Sequence, residues 1–390
     1  MAIAQVLLVL VLAAAPPPFA QTAPPARDVT LTAADGTPLK ATYYAAAKPG
    51  PAVLLLHMCN TTRKSWEPLA PQLAAAGIHA LAVDYRGFGE SGGDRADTLA
   101  PQDAQRVITE KWPGDIDKAY EFLLAQPGVN KARVGAAGGS CGVNQAVRFA
   151  RRHPEVGSLA LLAGGLDPEG ITFLTETPWL PIFAAAAADD QFDGNAPDSM
   201  RFLLALSGNP RNKFSGFRDG KHGTEIFGPH PELPKQMVAW YVDTLVTHPA
   251  DPKAAVEVKD TPVRRFWRKA VTPDGVGEAV QLFYDVAQRG DRVVLFGEGE
   301  LNQLGYFHLQ AGRPNEAIRL FRLNTIAYST SANTYDSLAD AYLANGQNEL
   351  ALRMSEKALE MLPKDRSGED RKKAIRDSAE QKIAKLKEKK

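Results

Sequence analysis

The sequence predicts an α/β domain with a mostly parallel sheet, helices on both faces, and an all-α module after it. Three observations carry this. Between residues 28 and 247, short β-rich runs alternate with helical patterns. Most of those strands are apolar throughout, as strands buried on both faces of a parallel sheet are. From residue 273 onward the pattern is helical and contains an internal repeat.

The chain opens with "MAIAQVLLVLVLAAAPPPFAQTAPPA". Its apolar run, Val6 to Ala15, is short for a bilayer span. Small residues and prolines follow, so residues 1–20 read as a secretory signal cleaved near Ala20, although no Lys or Arg precedes the run. The other reading is a buried N-terminal helix. A signal implies a periplasmic or secreted mature chain with no membrane span after cleavage.

Three strands follow: "VTLTA", "LKATYYA" and "AVLLLHM", the first two joined by the turn "ADGT". "SWEPLAPQLAAAG" is a helix that stops at Gly77. "HALAVDYR", "RVGAAGG", "SLALLAGG" and "LPIFAAAAA" are further strands. "DIDKAYEFLLAQ", "GVNQAVRFARRH" and "KQMVAWYVDTL" are helices between and after them. Residues 248–272 carry Pro and charge without periodicity and read as a linker. The domains expected are therefore 28–247 and 273–390.

In the second of these, "LNQLGYFHLQAGRPNEAIRLF" returns as "YDSLADAYLANGQNELALRMS". Leu304, Gly312 and Ala317 match Leu338, Gly346 and Ala351, each 34 residues on. Small residues at Gly305/Ala339 and Ala317/Ala351 let paired helices approach closely. With Tyr306 and Pro363, these positions resemble tetratricopeptide (TPR) repeats, which have this period. The resemblance implies a protein or peptide partner or a stabilising role. The basic tail after Gly368 reads as a solvated capping helix, because Ile375, Ala379, Ile383 and Leu386 share one face.

The formal net charge is zero, which gives no nucleic-acid footprint. The chemistry points to Gly138-Gly139-Ser140-Cys141-Gly142. This is G-x-S-x-G between a strand and a helix, a strained turn that exposes a nucleophile beside a helix N-terminus. Shifting the frame to make Cys141 the nucleophile loses the final glycine, so Ser140 is favoured.

Residues 28–247 resemble the α/β-hydrolase superfamily, and within it the dienelactone-hydrolase-like and small serine esterase branches. "LLLHMCN" resembles the oxyanion strand end, "VDYRGFGESGG" the D-x-R-G-x-G-x-S turn, "FAAAAADDQFD" the acid strand and "RDGKHGTEIF" the histidine loop. The chain departs at Met58, where the family usually has glycine. Members of such a triad follow the order Ser, acid, His. His57, His79 and His153 precede the acid strand, His248 lies in the linker and His308 in the repeats. His222 and His230 remain, and the flexible loop "DGKHGTE" favours His222. Asp189, Asp190 and Asp193 compete for the acid. Family register favours Asp190, with Asp193 second.

The resemblance implies an oxyanion hole from the amides of Cys59 and Cys141, with His57 structural beneath that loop. It brings the two cysteines together, either as a disulfide or as two buried free thiols. His57, Cys59 and Cys141 lack a regular zinc-ligand pattern, so neither metal nor cofactor is expected. Only "LDPEGITFLTETPW" links the sixth strand to the acid strand, which leaves no room for an inserted lid domain. The expectation is a serine hydrolase for a small-molecule ester or acyl substrate. The alternatives are a partner-binding protein on a hydrolase scaffold and an acyltransferase.

Overall fold

The computed structural model describes residues 23–190, 196–290 and 293–388; the expected signal segment and Asp193 lie outside the described residues. Among them, eight strands form one sheet. They are β1 (Arg27–Thr32), β2 (Pro38–Tyr44), β3 (Gly50–Leu56), β4 (His79–Val83), β5 (Val129–Gly139), β6 (Val156–Leu162), β7 (Ile182–Ala187) and β8 (Lys213–Phe217). Their order is β1-β2-β4-β3-β5-β6-β7-β8. β2 is antiparallel to β1 and β4, and the remaining neighbours are parallel.

Helices α1 (Ala70–Ala75), α2 (Pro101–Arg106), α3 (Trp112–Leu124), α4 (Cys141–Arg152), α5 (Pro168–Glu176), α6 (Ala196–Ser207) and α7 (Glu232–Tyr241) accompany the sheet. Strand β3 shows how both faces are covered. Leu54 and Leu56 pack with Ile116, Ala119 and Val143, whereas Val53 and Leu55 pack with Leu73, Met237 and Trp240. Alternate side chains of one apolar strand therefore feed two separate cores, which is why the run shows no polar face. Three helices and one strand of this part were not anticipated. α2 precedes α3, the segment after β6 folds as α5, α6 follows β7, and "KFSGF" forms the edge strand β8.

The C-terminal region is all-helical: α8 (Pro262–Ala270), α9 (Val276–Gln288), α10 (Glu298–Gln310), α11 (Pro314–Ala327), α12 (Ala332–Ala344), α13 (Asn348–Met361) and α14 (Glu369–Lys387). The matched glycines of the repeat, Gly312 and Gly346, both have φ 73 and follow α10 and α12, where a left-handed residue ends a helix. At Gly305 an added Cβ would come within 2.4 Å of the Phe321 ring, so a side chain there would push α10 and α11 apart.

The expected linker differs from a free tether. Residues 248–261 have no helix or strand, but α8 lies within the 248–272 stretch and is built into both parts. Phe266 and Trp267 are fully buried in the cluster that holds Met200, Leu203 and Leu206 of α6 and Leu301 and Leu304 of α10. Buried Arg264 donates to the carbonyls of Leu206 and Ser207 at the end of α6 and of Thr175 in α5. Those are orphan acceptors of helix C-termini, and a cation suits the dipole there. On the other side, Trp267 Nε1 donates to Leu295 O at 2.9 Å and His308 Nε2 to Ala270 O at 3.0 Å.

Ending the chain at residue 250 would therefore expose one side of α6 and uncap two helices. Fragment 23–250 is expected to aggregate or to melt well below the full-length protein. Arg264→Met should cost about 3 kcal/mol, through the carbonyls left without a charged donor. Thermal denaturation of the fragment, the variant and the full chain checks both, and an unchanged melting temperature in the fragment would show that the α/β part stands alone.

Candidate active site

The turn after β5 is strained. Ser140 has φ 52 and ψ −123, between a buried strand and α4. Such a backbone is rare outside glycine and costs on the order of 1–3 kcal/mol. The surroundings hold it in place. Ser140 N–H donates to Leu162 O at 2.9 Å, and Val143 N–H donates to Ser140 O at 2.9 Å. The flanking glycines are required by contact. A Cβ on Gly138 would lie 2.0 Å from Gly142 O, and one on Gly142 would lie 2.4 Å from Leu56 O.

The structure brings three of the predicted residues into one chain of hydrogen bonds. Ser140 Oγ is 2.7 Å from His222 Nε2, and His222 Nδ1 is 2.6 Å from Asp190 Oδ2. Asp190 and His222 are 3% and 7% exposed. A carboxylate only accepts, so Nδ1–H donates to Asp190 and Nε2 is left to accept the serine hydroxyl. Asp190 follows β7 and His222 sits in the loop after β8. Asp189, one residue earlier, faces elsewhere: its Oδ1 accepts Lys221 N–H at 2.9 Å. Lys221 has φ 60, so this bond supports an unfavourable backbone beside the histidine. Glu225 Oε2 accepts His222 N–H at 3.3 Å. Neither bond was foreseen, because both run from a side chain to a loop amide.

His230, the competing histidine, lies near the surface, with Nε2 2.8 Å from Asp219 O and Nδ1 3.1 Å from Glu232. His79 bonds Tyr43, and His153 bonds Asp117.

The loop after β3 approaches the elbow from the other side. Cys59 and Cys141 are joined as a disulfide with Cα atoms 5.8 Å apart. His57 is fully buried beneath this loop. Its Nε2 accepts Tyr85 N–H at 3.1 Å and its Nδ1 donates to Met58 O at 2.6 Å. That pattern requires the neutral ring with its proton on Nδ1, since protonation would set two N–H groups against each other. Burial pushes its pKa down to about 4. Further along, Asp84 anchors the loop by accepting Arg63 N–H at 2.6 Å and pairing with the buried Arg63 guanidinium. This gives the D-x-R-G turn a structural role. Among the described residues no cluster of three or more His, Cys, Asp or Glu side chains could hold a metal ion.

Residues 47–195 match the family model described as "Serine aminopeptidase, S33". The match includes Ser140 and Asp190 and stops before His222. An uncharacterized protein of Mycobacterium tuberculosis is 30% identical over 172 residues, covering 43% of this chain and 56% of that protein. The chain thus spans about half the length of the curated relatives it matches. Among solved structures, an esterase of Pyrococcus furiosus is similar at 17% identity and TM-score 0.47, covering 57% of this chain and 91% of that one. An acylaminoacyl peptidase of Pyrococcus horikoshii is similar at 13% identity and TM-score 0.47, covering 59% and 43%.

Two measurements follow. The folded state resists protonation of His57 while the unfolded chain accepts it near pH 6.5. Its contribution to stability is therefore complete above pH 6.5 and is lost as pH falls toward 4, up to about 3 kcal/mol. Denaturant titrations across pH 7 to 4 should show a shallower slope for His57→Gln than for wild type. The denatured, unreduced chain should contain no free thiol, and reduction should lower stability by about 4 kcal/mol, because 82 residues separate the bonded cysteines. Two titratable thiols in that sample would contradict the bond.

Proposed function

We propose, from the premise that residues 27–247 carry the α/β-hydrolase fold, that this protein is a periplasmic or secreted serine hydrolase acting on a small ester or related acyl substrate. One observation carries the reading: Ser140, His222 and Asp190 stand in a continuous hydrogen-bonded chain, with the serine on a strained strand-to-helix turn. In the reaction, Ser140 Oγ attacks the acyl carbon while His222 Nε2 takes its proton. Asp190 holds the tautomer and stabilises the imidazolium. The negative charge on the tetrahedral oxygen falls to the amides of Cys59 and Cys141. Neither amide N–H has an acceptor among the described residues, and the disulfide holds the two donors at a set separation. The same imidazolium then protonates the leaving alkoxide, and water releases the acyl group by the reverse path.

Substrate size is inferred from the cover. Between β6 and β7 the chain has only α5, so no lid domain stands there. That favours short acyl groups over long lipid chains. The C-terminal helices are read as a tetratricopeptide-like module. Its packing on α5 and α6 supports a stabilising role, and its outer surface is left for a protein or peptide partner.

Hydrolysis of p-nitrophenyl acetate tests the reading. Ser140→Ala and His222→Ala should each lower kcat by ~10⁴-fold or more, and Asp190→Asn by a comparable factor. A fluorophosphonate probe should label wild type at Ser140 alone. A His222→Ala enzyme near the wild-type rate would show that another base is used, and a wild type with no hydrolase activity would favour a binding role for the fold.

A further inference from the structure

Met58 stands where the family that this chain resembles usually has glycine, yet its side chain is fully buried. The structure shows where that side chain goes. It lies between two glycines that adjoin the reacting residues. A Cβ on Gly139, just before Ser140, would meet Met58 Cγ at 3.1 Å. A Cβ on Gly223, just after His222, would meet Met58 Sδ at 2.3 Å. Gly223 also has φ 54, so this position resists any side chain on two grounds. The sulfur accepts the N–H of Thr224 at 3.3 Å. One thioether therefore fills the gap between the backbones of the serine and histidine loops, and bonds to the second of them.

We infer that Met58 is a positioning residue that sets the separation of Ser140 and His222. The inference rests on the triad reading above. Its physics is that of a spacer and a tether. The spacer is the methionine side chain, flexible enough to fit an irregular slot between two glycines. The tether is the sulfur's bond to Thr224 N–H, two residues past His222. Met58 also belongs to the oxyanion loop, because its carbonyl accepts from His57 Nδ1 and from Thr61 N–H. Its neighbour Cys59 is bonded to Cys141. Through residues 58 and 59, all three loops of the site are joined by sulfur: oxyanion loop to elbow by the disulfide, oxyanion loop to histidine loop by the thioether. A shift of the histidine by about 1 Å can cost ~100-fold in rate, so a loose spacer acts on chemistry more than on substrate affinity.

The test uses full-length protein, p-nitrophenyl acetate for kcat and KM, a fluorophosphonate for the labelling rate of Ser140, and melting temperature as the folding control. Met58→Ala removes both devices. It should slow kcat and labelling together by ~10- to 100-fold, with KM changed less than ~3-fold. Met58→Leu keeps most of the volume and removes the acceptor, and it should fall between Met58→Ala and wild type. Gly139→Ala should slow wild type by crowding Met58, and should cost little more in the Met58→Ala background, where the crowded atom is gone. Labelling of Met58→Ala at the wild-type rate overturns the inference, as do additive losses in the double variant. Where Met58→Ala fails to fold, Met58→Leu and Gly139→Ala decide, and wild-type rates in both overturn it. Labelling that persists in Ser140→Ala overturns the triad reading itself. Labelling lost there but unchanged in the Met58 variants overturns only the role of Met58.

Discussion

At Ser140 the backbone must leave a strand, enter a helix and keep φ at 52 while doing so. No local preference of serine favours that conformation. It persists because two neighbouring chain segments, the ends of β3 and β6, press on it. Leu56 at the end of β3 leaves no room for a side chain at Gly142, Leu162 at the end of β6 takes the Ser140 amide, and Gly164 lies so close that a Cβ there would sit 2.2 Å from Ser140 O. These segments are adjacent only because β3, β5 and β6 are adjacent in the sheet. Strand order therefore dictates the elbow, and the elbow dictates where a nucleophile can stand.

The same dependence runs outward. His57, at the end of β3, is locked in one tautomer by the Tyr85 amide after β4 and the Met58 carbonyl. That lock shapes the loop bearing Cys59, and the disulfide ties the loop to α4. On the far side, α6 begins six residues after Asp190 and is backed by α8 and α10. Arg264 caps the ends of α5 and α6 together. The helical region is thus packed against α5 and α6, and the apolar core passes from one part to the other without a break.

Much of this was legible before any coordinates. The strand–helix alternation and the glycine-framed serine rest on local patterns, and chain order narrowed the histidines to His222 and His230; the resemblance brought Cys59 and Cys141 together but left bond and free thiols both open. The rest was hidden for identifiable reasons. "KFSGF" is a short edge strand with a small residue at two of five positions, so its apolar signal is weak. The 248–272 stretch looked unpatterned because α8 occupies only nine of its residues and presents Arg264 inward. Met58 was visible as a departure from glycine, but nothing local reports that two distant glycines had made space for it.

What the sequence determined alone is the set of layers and the chemical types at the site. Periodicity, glycine spacing and residue order are properties of the chain, and they survive without knowing which segments touch. What only the tertiary structure decided is direction. Asp189 and Asp190 are neighbours of one chemical type after the same strand, and a single residue of register sends one carboxylate to the Lys221 amide and the other to His222. Which of them meets the imidazole depends on where the loop after β8 returns, and that is set by packing between segments more than thirty residues apart in the chain.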